Sequence, residues 1–358
     1  MRPPCLCTVG EPIICPQRWV SVESQRLCAD FYLGEHRMTF NFIMQNLVNA
    51  LQWGSFYALI ALGYSMVYSI LMLFNFAHGD IFMVGAYIGL GVATGLLALA
   101  GTGAAAILPG WFILVLTILI SMLLTGFVGI IVERVGYRPL RDAPRASAAI
   151  TGLMIGIILE TSNILFLGGS RLKFPQLIQS VTYNIGGVFV TNKKIMIVLV
   201  SLGLMLALHQ FVTRTKYGMA MRAMAYDYLV IPLMGVSINR IAAMTFAIGS
   251  ALAAAAGILF GLAYPVLDPY MGVSFGWKAF VASILGGRGS IMGACLAGFM
   301  LGFIEIMTVP AIQIINRLFD LNIGSNMRDL IAYSIVLLIL IFKPHGLFGE
   351  AYSAKLRL

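Results

Sequence analysis

Along most of the chain, apolar runs follow one another with only short charged or glycine-rich breaks between them: 43–63, 64–76, 81–100, 111–132, 148–168, 193–212, 242–262, 274–286, 291–309 and 328–343. Nothing else in the sequence constrains the fold as strongly. A hydrocarbon layer about 30 Å thick is crossed by about 20 apolar residues as a helix, because no water is present there to bond an exposed peptide group. The runs therefore predict an all-α fold, a polytopic transmembrane helical bundle of about 8–10 membrane segments including short or discontinuous helices. Composition agrees: 60% of the residues are hydrophobic and 10% charged, against about 25% charged in an ordinary soluble domain. No stretch between the runs could form a second, soluble domain. The reading is one membrane domain at 38–350, a flexible or dispensable N-terminal extension at 1–37 and a cytoplasmic tail at 351–358. The extension lacks the apolar core of a signal peptide, and Met38 opens a segment suited to start a membrane protein.

The runs 64–76 and 274–286 are too short to cross a bilayer comfortably. A break follows each, Asn75-Phe76-Ala77-His78-Gly79-Asp80 in the first case and Gly286-Gly287-Arg288-Gly289-Ser290 in the second. Transporters place broken helices at matching positions of two repeats, and the correspondence suggests an internal repeat. Small residues recur at four-residue spacing, in Gly85 and Gly89, Gly152 and Gly156, Gly257 and Gly261, and Gly298 and Gly302. Such pairs let helix backbones approach closely, and packing within one bundle accounts for them more simply than association of subunits.

The formal net charge of +9 comes from Lys and Arg placed between apolar runs, not gathered in a patch, which argues for orientation in a membrane and against nucleic-acid binding. Arg134, Arg138, Arg141 and Arg145, then Arg214, Lys216, Arg222 and Arg240, mark two cytoplasmic segments. The stretch from Arg171 to Lys194 is then external, with Pro175 and Gly186-Gly187 as turn residues. Continued alternation puts the C-terminal tail inside, and counting backwards puts the N-terminus inside too. Cys5, Cys7, Cys15 and Cys28 cluster near the N-terminus without a His partner or a paired C-x-x-C, a weak zinc pattern; Cys295 reads as a small packing residue.

Polar residues within apolar runs are the candidate functional positions, since each must be paired, wet or near a surface. Gln45, Asn49 and Gln52 share one helix face and either line a wet pathway or bond neighbouring helices. Asn75, His78 and Asp80 interrupt an apolar stretch and are candidates for a gate or helix break, with Asp80 capping the helix that follows at Ile81. Glu160 and Glu305 are the acids deepest in apolar sequence. Glu160 reads as interfacial, whereas Glu305 stands alone in its run and could carry a proton. No metal site is expected from so few ligands. On the cytoplasmic side, the segment from Tyr217 through Arg222 and Asp227 to Gly235 reads as a short amphipathic helix that ends near Gly235, lying on the membrane or covered by a partner. The chain has no G-x-x-x-x-G-K-[ST] phosphate loop, no H-E-x-x-H pair and no G-x-S-x-G elbow, so it is not read as an enzyme.

Several stretches resemble one family, the integral-membrane permeases of branched-chain amino acid ATP-binding cassette importers, which are related to urea permeases. They are Leu51 to Tyr64, the Asn75 to Asp80 box, Glu133-Arg134 with Tyr137 to Arg141, and Arg222 to Gly235. Lys278 to Val281, Ile284 to Gly287, Gly289 to Ile291, Gly293-Ala294 and Lys343 to Gly349 complete the set. Arg288, where an uncharged residue is more usual, and the cysteine-bearing leader depart from the pattern. The resemblance implies a pore subunit in the bacterial cytoplasmic membrane with no cofactor of its own. Its implied partners are a second homologous permease, two cytoplasmic ATP-binding subunits that use ATP and Mg, and an extracytoplasmic solute-binding protein. The substrate would be leucine, isoleucine or valine, with urea or a short amide as the alternative, and Tyr217 to Ser237 would be the surface coupled to the ATPases. A proton-coupled secondary transporter that uses Glu305 is the reading from a different class.

Overall fold

Apolar runs of crossing length become long helices, and the breaks fall where the sequence supplies Gly, Pro, Asn or charge. The computed structural model describes residues 22–101, 109–141, 143–226, 231–287, 290–319, 324 and 327–348, with the backbone alone for 22–39, 100–101, 145, 226, 233–234 and 317–318. In chain order the helices are α1 (Val22–Leu71), α2 (His78–Gly101), α3 (Gly110–Val132), α4 (Arg145–Leu167), α5 (Asn192–Arg214), α6 (Lys216–Tyr226), α7 (Ile238–Ala263), α8 (Met271–Gly286), α9 (Ile291–Phe319) and α10 (Arg328–Phe342). Among the described residues seven are long and apolar enough to cross a membrane, α8 is a shorter apolar helix of 16 residues, and α10 has 15. Cys5, Cys7 and Cys15 lie outside the described residues, as does the side chain of Cys28.

The two runs at 43–63 and 64–76 are one helix, whose apolar part is Phe40–Leu71. Gly63 does not break it. In a helix interior Gly costs only about 1 kcal/mol, and here its missing side chain makes room for the His78 ring. α1 stops instead at Met72, in the left-handed region at φ 54° with its N–H bonded to the Tyr68 carbonyl at 2.9 Å. The short pair of runs thus reduces to α8, and the correspondence that suggested a repeat loses its first member.

The N-terminal side of the topology changes as well. With one crossing in place of two, the Gln45 end of α1 lies against the 168–191 loop, on the side that the charge pattern makes external. α1 and α7 are the interior helices, with 83% and 78% of their apolar windows buried, whereas α4 and α5 bury 17% and 28%. The outward rows on α3 and α4, including Leu123, Phe127, Ile157 and Ile158, are apolar and exposed, as suits a surface in hydrocarbon.

The external side carries two small antiparallel ribbons. β2 (Thr182–Ile185) pairs with β3 (Val188–Thr191) through a two-residue turn at Gly186 and Gly187, whose φ of 63° and 92° are those a hairpin of this twist requires. β1 (Leu172–Lys173) pairs with β4 (Val266–Leu267), and Arg171 adds an ion pair to Asp268 at 2.8 Å, which together tie the α4–α5 loop to the α7–α8 loop.

All four small-residue pairs are used inside the chain. Gly85 and Gly89 meet Ala254 and Ile258 of α7, Gly257 meets Phe82 and Ala86, and Gly261 meets Phe174. Gly298 and Gly302 lie on the backbone of α1 at Ala58 and Gly54, while Gly152 and Gly156 accommodate the Tyr137 hydroxyl and the Asp80 carboxylate. Cys295 rests its sulfur on that of Met205 at 3.2 Å.

Candidate functional site

Three polar groupings interrupt the apolar interior, at different depths. The first is the box that opens α2. The helix begins at His78, so Asp80 lies inside its first turn and is not the cap expected ahead of Ile81; an acidic side chain is favoured there by the positive end of the helix dipole. Asn75, His78 and Asp80 are all buried. Asn75 accepts a hydrogen bond from the Tyr137 hydroxyl at 3.0 Å, and its backbone carbonyl takes the His78 N–H at 3.0 Å. His78 meets Tyr64 edge to face at 4.7 Å and fills the space left by Gly63 and Gly249. Asp80 sits between the backbones of α4 and α8, at Gly156 and Gly272. Aromatic rings hold the break from outside the box: Phe74 stacks on Tyr68 at 4.2 Å, and Phe76 packs on Trp277 and Phe280 of α8 at 5.9 and 5.2 Å. Because Asn75 relies on Tyr137, the Tyr137→Phe variant should lose about 1–3 kcal/mol through an orphaned buried acceptor, read as a lower thermal midpoint of the purified protein. An unchanged midpoint would remove Tyr137 as the anchor of the break.

The second grouping surrounds Glu305. Far from standing alone, this carboxylate accepts hydrogen bonds from the Tyr57 hydroxyl at 2.7 Å and Lys278 Nζ at 2.8 Å, and pairs with the Arg328 guanidinium at 3.1 Å. Asp329 completes the cluster, with Oδ1 at 3.1 Å from Lys278 and 3.4 Å from Arg328. Two acids and two bases from α8, α9 and α10 neutralise one another beside α1. At about 1.5 Å per residue Glu305 lies about 21 Å along α9 from Ile291, and Tyr57 about 21 Å from Leu71. The cluster therefore lies near the middle of α9 and of the apolar part of α1, with Arg328 and Asp329 at the start of α10. Sequence reasoning followed the acids and passed over Lys278 and Arg328. A lone Lys in the short run 274–286 is as costly in hydrocarbon as a lone Glu, and that cost was the signal that could have paired them.

Two grooves open beside the cluster. One, of about 370 Å³, is lined by Ser274, Trp277, Lys278, Val281, Asp329 and Tyr333. The other, of about 350 Å³, is lined by Phe260, Val266, Asp268, Tyr270, Met271, Ser274 and Phe275, and Ser274 is common to both. Tyr264, just beyond α7, has its phenol pushed above the ordinary value by burial.

The amide stripe serves the external hairpin. Gln45 exchanges two hydrogen bonds with the Phe189 backbone, at 3.0 and 2.8 Å, and Asn49 accepts one from Lys194 at 2.6 Å. Gln52 is buried further along the same face. Of the two readings open to the stripe, bonding between elements is what Gln45 and Asn49 do. Glu160 is half-buried on α4, one turn beyond Gly156.

The third grouping is on the side that the charge pattern makes cytoplasmic. α6 is capped by Thr215, whose hydroxyl accepts the Gly218 N–H at 3.0 Å, and Gly218 lies on the end of α5 too closely for any side chain. The helix buries Met221 and Met224 and exposes Tyr217, Met219 and Arg222; the Arg222 guanidinium bonds the Thr213 carbonyl at 3.2 Å. One helix to Gly235 was expected, but α6 ends at Tyr226 and a separate 3-10 turn at Ile231–Met234 leads to Gly235 at φ 74°. Asp227 lies outside the described residues. Nearby, buried Glu133 pairs with Arg141 at 2.9 Å, and Arg141 bonds Asn239 at the start of α7 at 2.8 Å. Tyr137, on the π-helical turn at Glu133–Tyr137, links this layer to Asn75.

A bundle of apolar helices with a buried charge cluster beside grooves and a bonded cytoplasmic layer defines a multi-pass helical membrane protein with the features of a transport subunit. A family model described as the permease component of the branched-chain amino acid transport system matches residues 46–341, and the chain belongs to that family. It is 36% identical over 316 residues to the high-affinity branched-chain amino acid transport system permease protein BraD of Pseudomonas aeruginosa, covering 87% of this chain and 97% of that protein. Likeness to the LivH permease proteins of Escherichia coli K12 and Salmonella typhimurium is 33% and 32% over 321 residues, covering 88% of this chain and 98% of each.

Proposed function

We propose that this chain is the membrane-spanning permease subunit of an ATP-binding cassette importer that carries leucine, isoleucine or valine inward across the bacterial cytoplasmic membrane. The observation that carries the reading is its likeness, over nearly the full length of both chains, to permeases named for branched-chain amino acids. Those names favour amino acids over urea. The pairing of Glu305 with Tyr57, Lys278 and Arg328 supports a fixed structural charge over a proton carrier.

In this reading a second, homologous permease completes the path, two cytoplasmic subunits use ATP and Mg, and an extracytoplasmic binding protein delivers the solute. The chain at 38–350 is the permease domain, preceded by a flexible or dispensable extension at 1–37 and followed by a cytoplasmic tail at 351–358. The coupling surface is the exposed face of α6 with the turn to Gly235. Movement there would reach the α2 break through Asn239, Arg141, Glu133, Tyr137 and Asn75, a route supported by contiguous contacts alone.

The test is reconstitution of the complex in proteoliposomes with radiolabelled leucine and urea. Leucine uptake that requires ATP and survives an uncoupler is expected; uptake without ATP, abolished by the uncoupler, points to a secondary transporter. Arg222→Glu and Gly235→Val should lower uptake about 10-fold or more, the loss expected for disrupting a site that gates transport, with membrane insertion intact. Normal uptake and normally stimulated ATPase in both variants would show that the coupling surface lies elsewhere.

A further inference from the structure

We propose that the groove between α8 and α10 binds the zwitterionic head of an α-amino acid, with Asp329 taking the ammonium group, Lys278 and Arg328 the carboxylate, and Trp277, Val281 and Tyr333 the aliphatic side chain. The inference rests on the import reading and assigns a substrate site within it.

The four charges are unequal. Glu305 is buried and uses both carboxylate oxygens on protein partners, Oε2 on Tyr57 and Oε1 on Lys278 and Arg328. Asp329 directs Oδ1 at both cations, yet its side chain is 48% exposed, and that of Arg328 is 33% exposed. Here Asp329 and Lys278 line an open groove of about 370 Å³, of a size that falls within the range of about 300–1,000 Å³ for small-molecule sites, with Arg328 bonded to Asp329 beside it. A neutral solute gains less from opposite charges set side by side than one carrying both charges, and an ion of either sign meets one repelling partner. A zwitterion matches both, and can bind by exchanging with the weak Arg328–Asp329 contact at 3.4 Å.

The walls fit the remainder of the ligand. Trp277 and Val281 lie one turn apart on α8 and Tyr333 faces them from α10, so the charged end is followed by an apolar slot. Access from the external loops fits too. The second groove meets this one at Ser274 and leads to Asp268 and Tyr270 in the external α7–α8 loop. Trp277 also packs on Phe76 of the α2 break, so an occupant of the slot touches a residue that holds the break.

The experiment uses the assembled transport complex in detergent without its binding protein, and measures radiolabelled leucine binding and its displacement by 4-methylpentanoate, which lacks the ammonium group, and 3-methylbutylamine, which lacks the carboxylate. Leucine should displace at least about 10-fold more strongly than either analogue, the discrimination of one charged hydrogen bond. Asp329→Asn should weaken leucine about 10- to 100-fold and leave 4-methylpentanoate unchanged, a selective loss that general damage to the fold does not produce. Ser274→Trp, which fills the groove without touching a charge, should abolish binding of all three. The inference is overturned by equal losses for leucine and 4-methylpentanoate in Asp329→Asn, by wild-type affinity in Ser274→Trp, or by no saturable leucine binding in a wild-type complex that still takes up leucine with ATP. Failure of the wild-type complex to import leucine at all refutes the import reading instead.

Discussion

The Glu305→Leu variant should lose about 3–5 kcal/mol of stability, the cost of removing one partner from a buried ion pair and leaving the other uncompensated. Lys278 is 12% exposed and would keep only Asp329; the Tyr57 hydroxyl would lose its acceptor, and Arg328 its nearer carboxylate. The thermal midpoint of the purified complex in detergent measures the loss. Because the penalty comes from the orphaned charge, the double variant Glu305→Leu with Lys278→Met should be more stable than Glu305→Leu alone. If Glu305 served as a proton carrier, the single variant would keep its stability and lose only uptake. A single variant as stable as the wild type would therefore overturn the structural role given to this residue.

A comparable effect is expected from a residue with no polar atom in its side chain. Gly298→Val would place a side chain in the Ala58 backbone of α1, where no rotamer relieves the overlap and α1 and α9 must separate. Overpacking commonly costs about 1–3 kcal/mol, and here, with backbone as the obstacle, about 3 kcal/mol or more is expected. In lipid there is no hydrophobic drive to restore the pair once its contacts are lost. Gly91, an exposed glycine of α2 with open space around it, is the control: Gly91→Ala should be neutral or stabilising by up to about 1 kcal/mol. Size-exclusion profiles and thermal midpoints of the two variants test this, and equal behaviour would refute close α1–α9 contact as a source of stability.

Much of the architecture was legible because hydrocarbon thickness acts locally. A run such as 242–262 must become a helix like α7 whatever surrounds it, and Gly186-Gly187 must turn because two successive positive φ angles suit glycine and few other residues. The family was legible through short segments, among them Asn75 to Asp80 and Lys343 to Gly349, whose residues can be compared without knowing what they touch. Even so, periodicity misjudged α1. A run length cannot tell a boundary from a glycine that admits a neighbour, and Gly63 was the second kind.

Partners of polar groups were not legible. Glu305 meets Tyr57 at a separation of 248 residues and Lys278 at 27, and Gln45 meets Phe189 at 144. The sequence by itself determined that each of these groups needed a partner, because a bare charge or amide is costly in hydrocarbon. Only the tertiary structure decided which partner it took. It turned an apparent lone acid into a neutral cluster, bound the amide stripe to the external hairpin, and left Asp329 facing an open groove, because helix packing brings together side chains whose distance along the chain says nothing of their distance in space.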